Sequence, residues 1–309
     1  MKAVRLYGSS DRATISVDDV PVPKPAAGEA LIRVHATAVT PGEFQWYATW
    51  HDSKGVSRVH AIPCHEFSGV IEEIAPDVKG LKKGDEVFGL NNWFGDGAAA
   101  EYCVTTPSEI APKPATIDHV HAAVIPISGL TAWQALFDHG KLQAGQKVLI
   151  HGGAGGVGTI AIQLAVWKGA LVVTTVSEAN ISFVRELGAN QIVDYKKTRF
   201  EEVVTDADVV LDLVGGGTLR RSFGAIKQGG RIITIATSSE ATEDPKVKEA
   251  FFIVESSRQQ LVELAKLIEG GVLRSIVSQV LPIDAAAQAY LLVKKTNPGK
   301  TVLRLFNLD

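Results

Sequence analysis

The stretch that most limits what this chain can become is KVLIHGGAGGVGTIAIQLAVWKGA, residues 147–170, where an apolar run meets five glycines and continues as a helical pattern. Within it Gly153, Gly155 and Gly158 satisfy G-x-G-x-x-G between a strand and a helix. One glycine permits the tight turn off the strand, one lets backbone approach a pyrophosphate, and one lets helix and strand pack closely. The amides of Gly156, Val157 and Gly158 then open the helix, where the positive end of its dipole favours phosphate. The expectation is a dinucleotide-binding loop; the alternative is a strand–turn–helix whose glycines only ease packing.

The surrounding rhythm supports the first reading. KVLIHGG, ALVVTTVS, QIVDY, ADVVLDLVGG and GRIITIA read as five buried parallel strands, separated by helical stretches such as VGTIAIQLAVWKGA, ISFVRELGA and LRRSFGAIKQG. Upstream, KAVRL, ALIRVHATAV, SGVIEEIAP, GDEVFGL and AAEYCVT are short strands punctuated by turn residues. A chain of 309 residues, at about 150 per domain, then divides into two: a β-rich domain over 1–121, completed by 258–309, and a doubly wound α/β domain over 122–257. In the tail, TVLRLF reads as a strand returning to the first domain.

Charge narrows the partners. A formal charge of -3 offers no basic field for a nucleic-acid backbone, so a small molecule is the expected ligand. No run reaches the roughly 18 apolar residues of a membrane span, and the first residues lack the apolar core of a signal peptide. Cys64 and Cys103 alone make no disulfide framework, which fits a reducing cytoplasm.

Which nicotinamide nucleotide is bound turns on the end of the second strand, where an acidic residue would bind the 2′-hydroxyl of NAD. Here stand Thr174, Thr175, Val176 and Ser177, small residues that leave room for a 2′-phosphate and offer donors to it. NADPH is therefore expected over NADH, although Glu178 follows directly and no arginine stands at this turn. Asn180, Tyr195 and Lys196 are the nearest further donors, with solvated loop residues as the alternative.

Taken together, HEFSGVI, KGDEVFGL, AAEYCV, SGLTAWQAL, VLIHGGAGGVG and the closing PGKTVLRL resemble the medium-chain dehydrogenase/reductase superfamily, in its zinc-independent quinone oxidoreductase and enone reductase branch. The resemblance runs over essentially the whole chain. It implies an α/β protein with a GroES-like substrate domain beside a Rossmann domain, the active site between them, and a homodimer. It further implies that Thr40, Thr131 and the segment Phe251, Phe252, Ile253 contact the nicotinamide or its ribose, with Thr40 standing where this branch more usually has asparagine.

Zinc alcohol dehydrogenases share the superfamily, so the ligands decide. Their pattern would place a cysteine at Thr40; His65 and Glu66 keep its His-Glu pair, Cys64 precedes them, and Ile125 to Ser128 holds no cysteine. GLNNWFGDGAAAEY also runs through the place of the four-cysteine lobe. Two neighbouring side chains cannot enclose a tetrahedral zinc, so no metal is expected. Without a Lewis acid, hydride delivery to an already electrophilic quinone or α,β-unsaturated carbonyl is the chemistry that remains accessible.

EFQWYATWH places Trp46, Tyr47, Trp50 and His51 together, and with Trp93 these rings suit a flat conjugated substrate; the alternative is that they fill a small core. Tyr47 is the first choice of proton donor and His65 the second. The expected activity is thus zinc-independent, NADPH-dependent reduction of a quinone or an enone. A zinc-independent alcohol or aldehyde dehydrogenase and a non-catalytic NADPH-binding protein remain as rivals.

Overall fold

The structure is a computed structural model that describes residues 1–40, 42–236, 239, 242–292 and 298–306; within the C-terminal stretch assigned to the first domain, 293–297 and 307–309 lie outside the described residues. The chain forms two compact units, Met1–Ile127 with Ser256–Gly271 and Ser275–Asp309, and Ser128–Glu255 with Val272–Arg274.

In the first unit β1 (Lys2–Tyr7) and β2 (Thr14–Asp19) form an antiparallel pair. They are followed by β3 (Ala30–Ala38), β4 (Glu66–Ile74), β5 (Glu86–Leu90), β6 (Tyr102–Thr105) and β7 (Ile110–Pro112). The second unit carries β8 (Lys147–His151), β9 (Leu171–Val176), β10 (Gln191–Asp194), β11 (Ala207–Asp212) and β12 (Ile226–Thr234). The chain then returns to the first unit with β13 (Val277–Pro282) and β14 (Lys300–Arg304), the latter antiparallel to β3.

β3 is the hub of the seven-stranded sheet, whose order is β13-β14-β3-β4-β5-β7 with β6 also on β3. Its sequence promises a half-buried strand, yet most of its length is buried. Register shifts at Leu31/Ile32 and Val34/Ala36 separate Ala30, Ile32 and Val34, which join one core cluster, from Ala36 and Ala38, which join another with Val120 and Val124. β4 lies so close to β3 that a Cβ at Gly69 would stand 2.3 Å from the Arg33 carbonyl oxygen, so glycine is required there.

All neighbours in the second sheet are parallel, in the order β10-β9-β8-β11-β12. Parallel strands need helical crossovers. The helices Gly156–Trp167, Ile181–Glu186 and Gly216–Ser222 supply three of them. Leu149, Val173, Val193 and Val210, one from each of four adjacent strands, share a core with Phe200 and Val204. Strand order reverses between β8 and β11, and the carboxyl ends of the strands share one edge, the usual binding edge of such sheets. One expected boundary shifts. The helix expected over LRRSFGAIKQG ends at Ser222, and β12 already begins at Ile226, because Ile226 pairs with Ala207 before a register shift continues the ladder at Arg231.

From His119 to His139 the chain is long and apolar enough to cross a membrane, but 83% of its most apolar window is buried inside the protein, as in a core helix.

Candidate active site

The glycine loop leaves β8 at the carboxyl edge. Gly152 turns with φ of 78°, which an L side chain adopts only with strain, and the amides of Gly152 and Gly153 donate to the Thr175 carbonyl. Two of the motif's glycines are demanded by the protein itself. A Cβ on Gly153 would lie 2.1 Å from Thr174 Oγ1, and one on Gly158 would lie 2.3 Å from the Gly152 carbonyl oxygen. Gly155 differs: it is exposed, and a Cβ there would meet only the Gly152 oxygen at 3.4 Å, so the fold leaves room that only a ligand would need. It caps the helix with no side chain over the amides of Gly156, Val157 and Gly158, and the first internal bond runs from Thr159 N–H to the Gly155 carbonyl. These features fit the pyrophosphate of a dinucleotide.

At the end of β9 the hydroxyls sort themselves. Thr174 donates to the Ile150 carbonyl at 2.8 Å, and Thr175 Oγ1 lies 3.1 Å from His151 Nδ1, so both are engaged inside the sheet. Burial holds His151 down at about 4, hence neutral. The donors that sequence reading placed at Thr174 and Thr175 are thus withdrawn from any ligand. Ser177 remains, with Asn180 Nδ2 at 3.5 Å from its Oγ, and the half-exposed Tyr195 anchors its amide to the Val176 carbonyl. Glu178 turns to Lys197 at 2.8 Å. Phe251 bridges to Thr234, the last residue of β12, placing Phe251–Ile253 at the same edge; the Phe252 ring lies 4.4 Å from His139 and Ile253 is exposed. Thr131 is buried in the helix Pro126–Trp133.

The first unit gathers a second set of polar groups. β14, β3 and β4 are neighbours, and Val39 N–H donates to the Thr301 carbonyl, which brings Thr40 beside Lys300; Glu66 opens β4 on the other side. Lys300 Nζ donates to Thr40 Oγ1 at 3.0 Å and forms an ion pair with Glu66 Oε1, while Ile127 N–H donates to Glu66 Oε2 at 2.8 Å. Both charged side chains are buried, Glu66 fully. Beside them Glu43 accepts the Tyr290 hydroxyl and the Cys64 amide, and Cys64 Sγ lies 3.2 Å from the Tyr290 oxygen. Burial pushes Glu43 up to about 7 against these hydrogen bonds and the nearby Lys300 charge, and drives the Cys64 thiol well above its usual range.

Aromatic groups divide between two places. Trp93 meets Trp46 edge to face at 5.2 Å and the His65 ring at 5.1 Å, so these three stand together. Trp50 instead donates its indole N–H to the Phe44 carbonyl, and Tyr47, 53% exposed, stacks on His51 at 4.2 Å. Burial, with Arg58 nearby, holds His65 down at about 3. It is therefore neutral near pH 7 and has no imidazolium proton to give, a correction to its expected role as a donor. Its Nδ1 has no partner among the described residues.

Sequence reading missed Glu43, Tyr290 and Lys300. Lys300 carried the one visible signal, a charge opening an apolar strand, which burial obliges to find a partner, whereas Glu43 in a short turn and Tyr290 on a helix carried none.

The donor set can also be held against the needs of a tetrahedral zinc. Glu66 and Thr40 are bound by an ammonium, Cys64 is a protonated thiol inside the Glu43–Tyr290 group, and His65 lies against Trp93. These residues do not fit a tetrahedral zinc, and among the described residues no three His, Cys, Asp or Glu are grouped to hold a metal.

With this geometry in hand, comparison with known proteins is direct. The alcohol dehydrogenase GroES-like domain matches residues 26–115, and the zinc-binding dehydrogenase family matches 187–303. A probable zinc-binding oxidoreductase, mitochondrial, of Arthroderma benhamiae is 32% identical over 94% of this chain and 93% of its own. The 2-methylene-furan-3-one reductase of Solanum lycopersicum is 31% identical over 90% of this chain and 71% of its own. The quinone oxidoreductase structure from Coxiella burnetii superposes with a TM-score of 0.89 at 29% identity, covering 99% of both chains. The β-rich first unit and the parallel second sheet are accordingly GroES-like and Rossmann-like. The chain belongs to the medium-chain dehydrogenase/reductase superfamily, in its quinone oxidoreductase branch.

Proposed function

We propose that the protein reduces quinones, or the C=C bond of α,β-unsaturated ketones and aldehydes, using NADPH and no zinc. The observation that carries this reading is Lys300: its ammonium binds Glu66 and Thr40, so the positive charge at this place belongs to a side chain. A saturated alcohol needs a Lewis acid or strong base to become a hydride donor, whereas a conjugated acceptor needs orientation and a hydrogen bond to the oxygen that gains charge.

When bound, the dihydronicotinamide supplies a hydride. The chain's own residues do the rest. The amides of Gly156, Val157 and Gly158 hold the pyrophosphate, and Ser177 and Asn180, with Tyr195 nearby, receive the 2′-phosphate, while Lys197 draws the Glu178 carboxylate aside. In the second unit Thr131 and Phe251–Ile253 contact the nicotinamide, and in the first Trp46 and Trp93 offer faces for a flat acceptor.

The test follows NADPH absorbance with a chelator present, in parallel wells of a quinone, an enone, an enal and a saturated aldehyde, with NADH alongside. Turnover of a conjugated acceptor with NADPH preferred is expected. Oxidation of saturated alcohols that depends on stoichiometric zinc would overturn the proposal.

A further inference from the structure

We infer that Thr40 is the acid that protonates the oxygen of the acceptor, and that Lys300, held by Glu66, is the group that positions and recharges it. This inference rests on the reductase reading above and adds the proton path. The juxtaposition behind it involves three neighbouring strands. β14 presents Lys300 as its first residue, Thr40 follows two residues after the end of β3, and β4 presents Glu66 as its first residue.

The hydrogen bonds give the path a direction. An ammonium has only donors, so the 3.0 Å contact makes Thr40 Oγ1 the acceptor and turns the hydroxyl's own hydrogen elsewhere. Among the described residues no side chain or carbonyl takes that hydrogen. Lys300 is 7% exposed and Glu66 fully buried, whereas Thr40 is half-buried, so the line of charge reaches partial exposure at the threonine hydroxyl. Glu66 is fixed in turn, because Ile127 N–H holds one carboxylate oxygen while Lys300 takes the other. Neither candidate chosen from sequence offers an equivalent: Tyr47 stacks on His51 at the surface, and His65 is a buried neutral ring.

The step balances. As hydride reaches the acceptor, the acceptor oxygen forms an O–H bond with the Thr40 hydrogen, and Thr40 Oγ1 takes a proton from Lys300 Nζ. Quinone, one hydride and one proton give the hydroquinone; an enone, hydride arriving at its β-carbon, gives the enol. Lys300, left as a neutral amine, recovers its proton from water after product leaves.

The experiment has one binding arm and one kinetic arm. In the first, 4-nitrophenol, a stand-in for the product oxyanion, is titrated with pH in the presence of the protein and NADP+, and its phenolate band is read. Wild type and Thr40→Ser should lower its pKa by about 1 unit or more, the effect of a hydrogen bond donated to the charged form, and Thr40→Val should abolish that shift. In the second, 1,4-naphthoquinone and 3-nonen-2-one are reduced with NADPH. Thr40→Val should cut kcat about 100-fold, the low end for a general acid, with the fold retained by circular dichroism and the activity largely restored in Thr40→Ser. The pair Lys300→Met with Glu66→Gln removes both buried charges together, so it spares the fold, and adding Thr40→Val to it should cost nothing more. A phenolate shift that survives Thr40→Val, or additive losses in kcat, overturns the inference. Silence of wild type with both acceptors while the Thr40-dependent shift persists sinks the substrate reading and leaves the donor standing.

Discussion

Glu43 supplies a stability test that depends on burial alone. Its carboxyl is 1% exposed, and desolvation lifts it from an ordinary 4.5 to about 7 although Tyr290, the Cys64 amide and Lys300 all favour the ionised form. Replacing it by glutamine keeps the shape and an acceptor for the Cys64 amide while removing the titration. The sign follows from linkage. A carboxyl raised in the folded state binds its proton more tightly there than in the unfolded chain, so its contribution is fully present below pH 4.5 and is lost as pH rises through about 7. Across that window, at about 1.4 kcal/mol per pH unit, the loss amounts to about 3 kcal/mol. Four histidines that burial pushes down, His35, His65, His119 and His151, act in the opposite sense, losing stability as pH falls. They are common to both proteins and cancel in the difference. Urea unfolding of wild type and Glu43→Gln, followed by tryptophan fluorescence between pH 4.5 and 8, should show the wild type losing about 3 kcal/mol relative to the variant and then a plateau above pH 7. A difference that stays flat over the whole range refutes the reasoning.

The glycine loop separates fold from ligand. Gly158→Ala, whose Cβ would lie 2.3 Å from the Gly152 oxygen, should lower stability by about 1–3 kcal/mol by thermal unfolding. Gly155→Ala, with only a 3.4 Å contact, should unfold within about 0.5 kcal/mol of wild type yet lose NADPH affinity in a fluorescence titration. Ser177→Asp sets a carboxylate where the 2′-phosphate is expected, and the NADPH-to-NADH ratio of kcat/KM should fall about tenfold or more, about 1.4 kcal/mol. Lys300→Met alone strands a buried Glu66 carboxylate and should cost about 3–5 kcal/mol, whereas adding Glu66→Gln should recover most of it; equal destabilisation of the two variants would contradict the ion-pair reading.

The Rossmann-like half was legible because its signals are local. Each of the five apolar runs is contiguous, and the glycine spacing fixes strand, turn and helix within a dozen residues. β3 was harder, since its period-two pattern predicts one open face and its real burial depends on register shifts against β4 that no neighbouring residue announces. The threonines after β8 and β9 show the same limit. A hydroxyl counts as a donor in any sequence, but only the sheet register turns Thr174 onto Ile150 and Thr175 onto His151.

The proton-handling groups were least legible, and the reason is separation along the chain. Thr40 and Lys300 are 260 residues apart, Glu66 and Lys300 234, and Glu43 and Tyr290 247. No spacing rule spans such distances, so sequence reasoning turned to Tyr47 and His65, polar residues standing beside obvious aromatics. What a sequence does reveal is an obligation. A glutamate followed by Phe-Ser-Gly-Val-Ile, and a lysine followed by Thr-Val-Leu, each open strands destined for the core, and a buried charge persists there only with a partner of opposite sign. Pairing the two by that rule alone would have found the ion pair. Only the fold adds Thr40, the half-buried hydroxyl that turns a structural pair into a donor.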